Sequence, residues 1–295
     1  MSHVDMFPDS GPLSQMESGA HSRTTAAQQI SPAEAVVFEN VELAFEDTVV
    51  LDGVSFQLAR GETKAIFGIA GSGKSTILKL ALGLLKPDAG RIVVLGEDIT
   101  EASEAQLFEL RRRVGIVFQE SALFDSLTVR ENVAYRLLEE GNISEDEIEN
   151  RVREALSFVE LEHTMDLYPN ELSGGMRRRV AIARTIITHP DVVLYDSPTG
   201  GLDPVTSTTI IELIVKQRDV YKTSSLLVTH RLQDAFTMGT HYFDRRENKM
   251  KPLPPHTRAE VPMGFLILRD GKIMFDGDIK DLRETEDEYI REYIS

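Results

Sequence analysis

The segment GIAGSGKST at residues 68–76 combines glycines, a lysine and hydroxyl side chains, which are the residue types that suit a phosphate anion. Glycine lets a backbone bend closely around an anion because it has no Cβ to obstruct the approach. The spacing G-x-x-x-x-G-K-[ST] directs backbone amides, a lysine and a hydroxyl group toward the phosphates of a nucleotide. We therefore predict that this segment binds a nucleotide. Its residues are Gly68, Ile69, Ala70, Gly71, Ser72, Gly73, Lys74, Ser75 and Thr76.

Lys74 and Ser75 have distinct roles in this prediction. The ammonium group of Lys74 is expected against the β- and γ-phosphates, and the Ser75 hydroxyl group is expected to bind Mg²⁺. The alternative interpretation is a glycine turn followed by an exposed lysine. The sequence context favours the nucleotide site, because a strand-like segment at 64–67 precedes it and a helical pattern follows it through Leu85.

A carboxylate that can complete the site ends the apolar run VVLYD at residues 192–196. A buried strand of this kind delivers its last side chain into a pocket at the edge of a sheet. We predict that this residue, Asp196, is a Mg²⁺ ligand opposite Ser75. An aspartate at a strand end can also cap a helix or form a turn, but the phosphate-binding segment upstream favours the metal role.

The composition of the whole chain limits the classes of function. Acidic residues outnumber basic ones by 48 to 32 in the 295 residues, giving a net charge of −16 and no basic patch for nucleic acid. The absence of cysteine excludes disulfides and thiolate metal sites. No stretch approaches the roughly 18–20 apolar residues of a membrane span, and the N-terminus has no apolar signal core. We predict a cytoplasmic protein without a nucleic-acid partner, which contacts a membrane only through another protein.

The pattern of apolar residues predicts the elements that position the site. Segments 41–45 and 54–58 alternate apolar and polar residues, as half-buried strands do. Segments 191–196 and 224–230 are apolar strands of the fully buried kind, and a helical segment precedes each of them. Residues 144–159 form an apolar helical face and begin with capping-box spacing. This alternation predicts an α/β fold with a parallel sheet that has helices on both faces.

The domain organisation follows from shifts in composition. Residues 1–33 are rich in Ser, Gly, Gln, Ala and Pro, which predicts a disordered tail before a single domain at 34–295. A polar loop is expected as an insertion at about 245–260. Asp-Gly between apolar runs predicts a hairpin in the C-terminal part at about 263–294, which an acidic helix at about 278–294 closes.

Residues 172–186, LSGGMRRRVAIARTI, resemble the ATP-binding cassette (ABC) ATPases, whose signature is LSGGQ; Met176 stands where glutamine is usual. Ser173, Gly174 and Gly175 begin a helix, so unpaired amides and a positive dipole end can face a phosphate. The resemblance implies ATP and Mg²⁺ as ligands. It also implies a homodimer, in which the signature of one protomer closes on the ATP held by the other.

The same resemblance implies the fold and the roles of further residues. The fold is a P-loop NTPase of the ABC type: a mixed sheet core with an antiparallel β subdomain and a helical subdomain at about 100–185. Phe45 stacks on adenine, although its strand face also suits a core residue. Gln119 contacts Mg²⁺ and the attacking water. Asp203 acts across the dimer, and His230 contacts the γ-phosphate.

Ser197 departs from the family, which has a glutamate there as general base. A serine hydroxyl group cannot accept a proton at neutral pH, and general-base assistance is typically worth about 10²–10⁴-fold in rate. Phosphoryl transfer depends mainly on positioning and charge neutralisation, so a slow ATPase is the expected result. A protein that binds ATP without hydrolysing it is the less favoured alternative.

Residues 118–137 suggest what the ATPase drives. Leu123, Phe124 and Leu127 follow Gln119, where transporter cassettes form a groove for a helix of the membrane subunit; a locally buried cluster is the alternative. ALFDSLTVRENVA and LSGGMRRR resemble the ATPases of Mla-type, MCE-associated lipid transporters. This implies a multi-span permease, an MCE-domain protein, lipid cargo bound by these partners, and a location on the inner face of the cytoplasmic membrane. A soluble regulatory or scaffolding ATPase that uses ATP-driven dimerisation remains open.

Overall fold

The computed structural model describes residues 33–141, 143–254 and 261–294. Its strands are β1 (Glu34–Phe45), β2 (Thr48–Ala59), β3 (Thr63–Gly68), β4 (Ala89–Val94), β5 (Glu97–Asp98), β6 (Val114–Val117), β7 (Val192–Asp196), β8 (Ser224–Val228), β9 (His241–Asp244), β10 (Lys249–Pro252), β11 (Met263–Arg269) and β12 (Lys272–Gly277). Its helices are α1 (Lys74–Ala81), α2 (Glu104–Arg111), α3 (Val129–Glu140), α4 (Glu145–Phe158), α5 (Gly174–Ile186), α6 (Pro204–Tyr221), α7 (Leu232–Thr240), α8 (Ile279–Glu284) and α9 (Glu288–Ile294). The tail predicted at 1–33 lies outside the described residues except for residue 33.

The central sheet has the strand order β12-β11-β3-β8-β7-β6, and all neighbouring pairs except β11–β12 are parallel. Strands β3 and β8 are buried along their whole length, because both faces of the sheet are covered. The expectation of helices on both faces is wrong in part, since an antiparallel sheet together with α1 covers one of them. In the register, Val228 pairs with both Ile66 and Asp196, and Val117 pairs with Tyr195. The carboxyl ends of β3, β8, β7 and β6 therefore lie at one edge of the sheet.

A second, antiparallel sheet has the order β2-β1-β4-β5. Its apolar face packs with α1 and one face of the central sheet, and Phe38 stacks on Phe56 with ring centroids 4.7 Å apart. The other face of the central sheet packs with α3, α4, α5 and α6. The predicted combination of a mixed sheet, an antiparallel sheet and helices is confirmed. Helices α2 to α5 and strand β6 occupy most of the stretch predicted to be a helical subdomain, whose independence stays a prediction.

Helix boundaries test the local predictions. Helix α4 begins after Ser144, whose hydroxyl group accepts a hydrogen bond from the Glu147 amide at 3.3 Å. This is one half of the predicted capping box; the Glu147 carboxylate accepts from Arg151 instead. The helix predicted to begin near Gly174 is α5 and begins at that residue. Helix α1 is shorter than predicted and ends at Ala81 rather than near Leu85. Gly83 adopts φ +63°, a left-handed conformation that ends a helix.

The C-terminal region confirms one prediction and corrects two. Asp270 and Gly271 both have positive φ, as a two-residue hairpin turn between β11 and β12 requires. The single acidic helix is wrong, because Thr285 is extended and separates α8 from α9. The predicted polar loop is also wrong in part, because the insertion contains strand β10, which pairs with β9 just before it. Residues 255–260 of that insertion lie outside the described residues.

Candidate nucleotide-binding site

The phosphate-binding segment joins the end of β3 to the start of α1 and is held by close backbone packing. Gly68 has φ +150°, and a Cβ there would lie 2.4 Å from the Leu268 carbonyl oxygen. Gly73 has φ +97° and caps α1; a Cβ there would lie 2.9 Å from the Val50 carbonyl oxygen. These contacts explain why glycine is needed at both positions. Ile69, Ala70 and Gly71 are exposed at the turn, whereas Ser72, Gly73 and Lys74 are buried.

Lys74 places its ammonium group at the centre of this loop. Its Nζ donates hydrogen bonds to the carbonyl oxygens of Gly68 at 2.9 Å and Ile69 at 2.7 Å, and to Ser72 Oγ at 3.3 Å. Burial lowers the pKa of Lys74, and the nearby charge of Asp196 opposes this shift. A lysine at a helix N-terminus, beside the exposed loop residues 69–71, is suited to an anion with several phosphates.

Ser75 and Asp196 meet across the edge of the sheet, where the Ser75 hydroxyl group donates to Asp196 Oδ1 at 3.1 Å. A hydroxyl group and a carboxylate are hard oxygen ligands of the kind that Mg²⁺ prefers, and Mg²⁺ commonly completes its octahedron with substrate phosphates and waters. Within the described ranges, no group of three or more His, Cys, Asp or Glu side chains can hold a metal alone. The pair therefore fits a Mg²⁺ ion that arrives with nucleotide phosphates.

Ser197 follows Asp196 in an unusual backbone conformation, with φ +48°. Its side chain is 4% exposed, its amide donates to the Val228 carbonyl oxygen at 2.9 Å, and its own carbonyl oxygen accepts from the Gly200 amide at 2.9 Å. The backbone at the position of the missing glutamate is thus rigidly held. The side chain can orient a water molecule but offers no carboxylate base.

His230 and Gln119 lie at the ends of two further strands. His230 comes two residues after β8, and burial followed by the charge of Lys74 lowers its pKa, opposed by Asp196. A pKa below the ordinary histidine value of 6.5 favours the neutral imidazole at pH 7, and a neutral imidazole has one nitrogen that can accept a hydrogen bond. Gln119 comes two residues after β6, and its amide lies against Gly200, where a Cβ would be 3.4 Å from Gln119 Nε2. The structure thus places the Gln119 side chain beside residues 197–200, the loop that follows β7.

The signature residues and Asp203 form a second cluster at the N-termini of α5 and α6. Ser173 caps α5 by accepting a hydrogen bond from the Met176 amide at 3.2 Å, and Gly174 is exposed. A Cβ on Gly175 would lie 2.3 Å from Thr206 Cγ2. Asp203 caps α6 by accepting from the Thr206 amide at 3.0 Å, and hydrogen bonds from Thr206 lower the pKa of its carboxyl group.

Phe45 is the last residue of β1. Its side chain is 48% exposed, whereas Val41 and Leu43 on the same strand are 0% and 5% exposed. The sequence left a core position open as an alternative for this ring. The exposure excludes the core interpretation and leaves the ring accessible to a planar ligand.

Two buried contacts near these loops were not predicted from the sequence. Arg178 of α5, 4% exposed, donates to the carbonyl oxygens of Ser197 and Pro198 at 3.1 and 2.8 Å. Thr199 Oγ1 donates to Asp234, whose pKa is raised by burial. For Arg178 the sequence did contain a signal, because a charged residue occupies the apolar face of α5. Residues 178, 181, 182 and 185 share this buried face.

A groove of about 410 Å³ opens between β6, α3 and α5. Gln119 does not line it, but its chain neighbour Phe118 does, and we call it the groove beside Gln119. Phe118, Phe124 and Tyr135 line it and are 37%, 43% and 39% exposed. Phe124 and Tyr135 contact each other with ring centroids 4.6 Å apart. Of the three residues predicted to form such a groove, Phe124 lines it. Leu123 packs against the core, and Leu127 is half-buried and does not line the groove, so the prediction is wrong for these two. Within the described residues, no helix has the length and apolar composition needed to cross a bilayer.

Comparison with known proteins identifies the family. Residues 51–200 match the ABC transporter family. The methionine import ATP-binding protein MetN 2 of Bacillus cereus is 34% identical over 88% of this chain and 72% of its own length. Protein TRIGALACTOSYLDIACYLGLYCEROL 3 of Arabidopsis thaliana is 42% identical over 65% of this chain and 60% of its own length. The intermembrane phospholipid transport system ATP-binding protein MlaF of Haemophilus influenzae is 34% identical over 72% of this chain and 80% of its own length.

Solved structures share the fold. The dimeric cassette MJ0796 bound to ADP and Pi in a post-hydrolysis state matches 83% of this chain and 98% of its own, with TM-score 0.69 and 30% identity. CbiO1 of Clostridium perfringens, part of the transporter complex cbiONQ, matches 88% of this chain and 94% of its own, with TM-score 0.72 and 29% identity. The matched family, the identity over most of the chain and the cassette fold show that this chain belongs to the ABC transporter family, as an ATP-binding cassette ATPase that uses ATP with Mg²⁺.

Proposed function

We propose that this ATPase is the energising subunit of an Mla-type transporter, which moves phospholipid or another lipid across the cell envelope. The similarity to MlaF and the LSGGM form of the signature support this cargo. The similarity to MetN 2, a methionine import protein, extends over more of the chain and supports amino-acid import as the second candidate.

Within the site, the amides of residues 68–76 and Lys74 bind the triphosphate, and Phe45 stacks on the adenine ring. Ser75, Asp196 and Gln119 hold Mg²⁺. When bound, this ion neutralises phosphate charge and fixes the geometry of the leaving group. The support is the Ser75–Asp196 hydrogen bond and the enclosed ammonium group at the same sheet edge.

The second half of each site comes from another copy of the chain. Residues 173–175 begin an exposed helix N-terminus whose positive dipole end favours a phosphate. Asp203 neighbours this surface through Thr206. We therefore infer a homodimer in which the signature of one protomer covers the γ-phosphate bound by the other. The relative MJ0796 is described as dimeric, in agreement with this arrangement.

Hydrolysis is slow in this proposal because Ser197 cannot act as a base. His230 is neutral and accepts a hydrogen bond, so it and Gln119 orient the attacking water while Lys74 stabilises the charge on the phosphates. Positioning and charge neutralisation dominate phosphoryl transfer, so removal of the base reduces the rate without abolishing it.

The groove beside Gln119 is the observation on which the transport function depends. Exposed aromatic rings in a concave surface are typical of a site for an apolar partner helix. A helix of a multi-span permease that docks here contacts the loop bearing Gln119, which links ATP turnover to the membrane subunit. An MCE-domain protein and the permease bind the lipid in this assembly, and the ATPase lies on the inner face of the cytoplasmic membrane.

Co-purification tests this function. The tagged chain and a Phe124→Asp variant, which places a charge in the groove, are isolated from detergent-solubilised membranes of the native organism. We expect the parent to retain a multi-span protein, an MCE-domain protein and bound phospholipid, and the variant to lose all three while still binding ATP. A partner that binds methionine instead would favour the second candidate. Absence of any multi-span protein would favour the soluble regulatory ATPase.

A further inference from the structure

We propose that Arg178 is a positioning residue that couples the signature end of α5 to the two loops bearing Gln119 and Ser197. This inference rests on the proposed ATP site and dimer. It adds a route by which the ATP bound to one protomer influences catalysis in the other.

The side chain of Arg178 joins the two loops directly. Its Nη1 donates to the carbonyl oxygens of Ser197 and Pro198 at 3.1 and 2.8 Å, and its Nε donates to Ser121 Oγ at 3.2 Å. Its Nη2 donates to the carbonyl oxygen of Gln119. One planar guanidinium group therefore fixes the loop after β6 relative to the loop after β7.

The environment of Arg178 argues against a purely stabilising ion pair. The residue is 4% exposed, and its direct partners are carbonyl oxygens and the Ser121 hydroxyl group. Burial lowers the pKa of Arg178, and the charge of Glu120 opposes this shift without forming an ion pair with it. Burial of a cation without a direct carboxylate partner is costly relative to an apolar residue of similar size. A fold that needed only packing here would be better stabilised by leucine or methionine.

Both loops that Arg178 holds have strained backbones. Ser121 and Ala122 have φ +64° and +47°, and Ser197 has φ +48°, all in the left-handed region that non-glycine residues rarely adopt. Arg184 of the same helix donates to the carbonyl oxygens of Ser121 and Ala122 at 3.0 and 2.8 Å. Such conformations persist where surrounding contacts enforce them, and here helix α5 provides those contacts.

The position of Arg178 on α5 connects these loops to the dimer interface. Arg178 lies about one helical turn beyond the signature residues at 173–175, so a shift of the helix end moves the guanidinium group with it. When the signature closes on the partner's ATP, the Gln119 and Ser197 loops of the same protomer follow. Each ATP site is thereby sensitive to occupancy of the other.

The test compares Arg178→Gln and Arg178→Lys with a matched control, Arg179→Gln. Arg179 lies on the same helix and donates to a backbone carbonyl oxygen, that of Val159 at 3.1 Å, away from both loops. The measurements are kcat, KM and the Hill coefficient of ATP hydrolysis, the Kd of ATP by calorimetry, and amide exchange of residues 119–123 with a non-hydrolysable ATP analogue.

For Arg178→Gln we expect kcat to fall by about tenfold to a hundredfold, as misplacement of catalytic groups by about 1 Å does. The Kd of ATP should change by less than about threefold, because Arg178 contacts neither Lys74 nor Asp196. The Hill coefficient should fall toward about 1, and protection of residues 119–123 by the analogue should disappear. Arg178→Lys keeps the positive charge but loses the planar guanidinium group with its several donors, so it should give intermediate values. Arg179→Gln should keep kcat within about twofold.

An unchanged kcat and Hill coefficient in Arg178→Gln, or an equal loss in Arg179→Gln, would overturn the coupling. If Arg178→Gln does not fold, the same measurements on Arg178→Lys decide the question. A parent protein that fails to bind ATP contradicts the proposed function itself. A parent that binds ATP without turnover still tests the coupling through amide exchange.

Discussion

The phosphate-binding segment and the loops around Gln119 and Ser197 achieve unusual backbone conformations by different means. In the first region, Gly68 and Gly73 adopt positive φ, which glycine does without steric strain because it has no Cβ. In the second, Ser121 and Ser197 adopt positive φ, and hydrogen bonds from Arg178 hold them in place. Local sequence determines the first conformation, whereas tertiary contacts determine the second. Substitutions should therefore affect binding in the first region and turnover in the second.

Substitution of Lys74 should have the largest effect, because it removes the positive charge at the centre of the phosphate-binding segment. We expect Lys74→Ala to lower ATP hydrolysis by about 10³-fold or more and to weaken ATP binding strongly. Calorimetry with ATP and Mg²⁺ measures binding, and phosphate release measures turnover. Lys79→Ala, on the exposed side of the same helix, is the control and should behave as the parent. Normal ATP binding in Lys74→Ala would contradict the assignment of the site.

Protonation of His230 should have the next largest effect. In the proposed mechanism the rate depends on the neutral imidazole. Because the pKa of His230 is lowered from 6.5 in the folded protein, kcat should fall only as the pH drops below 6.5. His230→Ala should lower kcat by about 10²-fold or more and remove this acid limb. ATP itself titrates in the same range, so the informative quantity is the ratio of parent to variant across the profile. A ratio that stays constant from about pH 5.5 to about pH 8, an interval that includes the ordinary pKa of histidine, would contradict this role.

Ser197→Glu tests whether the missing carboxylate limits turnover. We expect kcat to rise by about tenfold to a hundredfold, the lower part of the range for a general base, with little change in the Kd of ATP. Ser197→Gln is the matched control, because glutamine has the same length without a base. If both variants are no faster than the parent, another step limits the rate.

Gly175→Ala tests the contact between the signature helix and α6. An added Cβ would lie 2.3 Å from Thr206 Cγ2, so we expect the free energy of unfolding to fall by about 1–3 kcal/mol. Thr206→Ser removes that methyl group and keeps the hydroxyl group that bonds Asp203. Urea denaturation of both single variants and the double variant forms a cycle in which the double variant should recover most of the loss. If the losses of the two single variants simply add in the double variant, the contact with the Thr206 methyl group is not the cause of the destabilisation.

The two regions also differ in how much of them the sequence predicted. The glycine and lysine spacing of residues 68–76 and the strand end at Asp196 predicted a local arrangement, because each depends on neighbours in sequence or on parallel strand order. Arg178 and the contact of Thr199 with Asp234 depend on distant residues meeting, which no local pattern encodes. The single acidic C-terminal helix was wrong for a different and local reason. Its composition favours a helix, and yet Asp278 caps one short helix and Thr285 interrupts the chain.

Tyr195 lies in β7, directly before the proposed Mg²⁺ ligand Asp196 and the loop that begins at Ser197. The strand therefore connects the two regions. The Tyr195 side chain is fully buried, its pKa is raised by that burial, and its hydroxyl group has no hydrogen-bond partner among the described residues. An unsatisfied buried hydroxyl group costs about 1–3 kcal/mol, so Tyr195→Phe should raise the free energy of unfolding by about 1 kcal/mol in urea denaturation. Tyr221→Phe is the control, because that ring is 38% exposed and water can bond its hydroxyl group. If Tyr195→Phe instead lowers stability, the hydroxyl group has a partner in solution, and β7 is anchored by a polar contact like those that hold the catalytic loops.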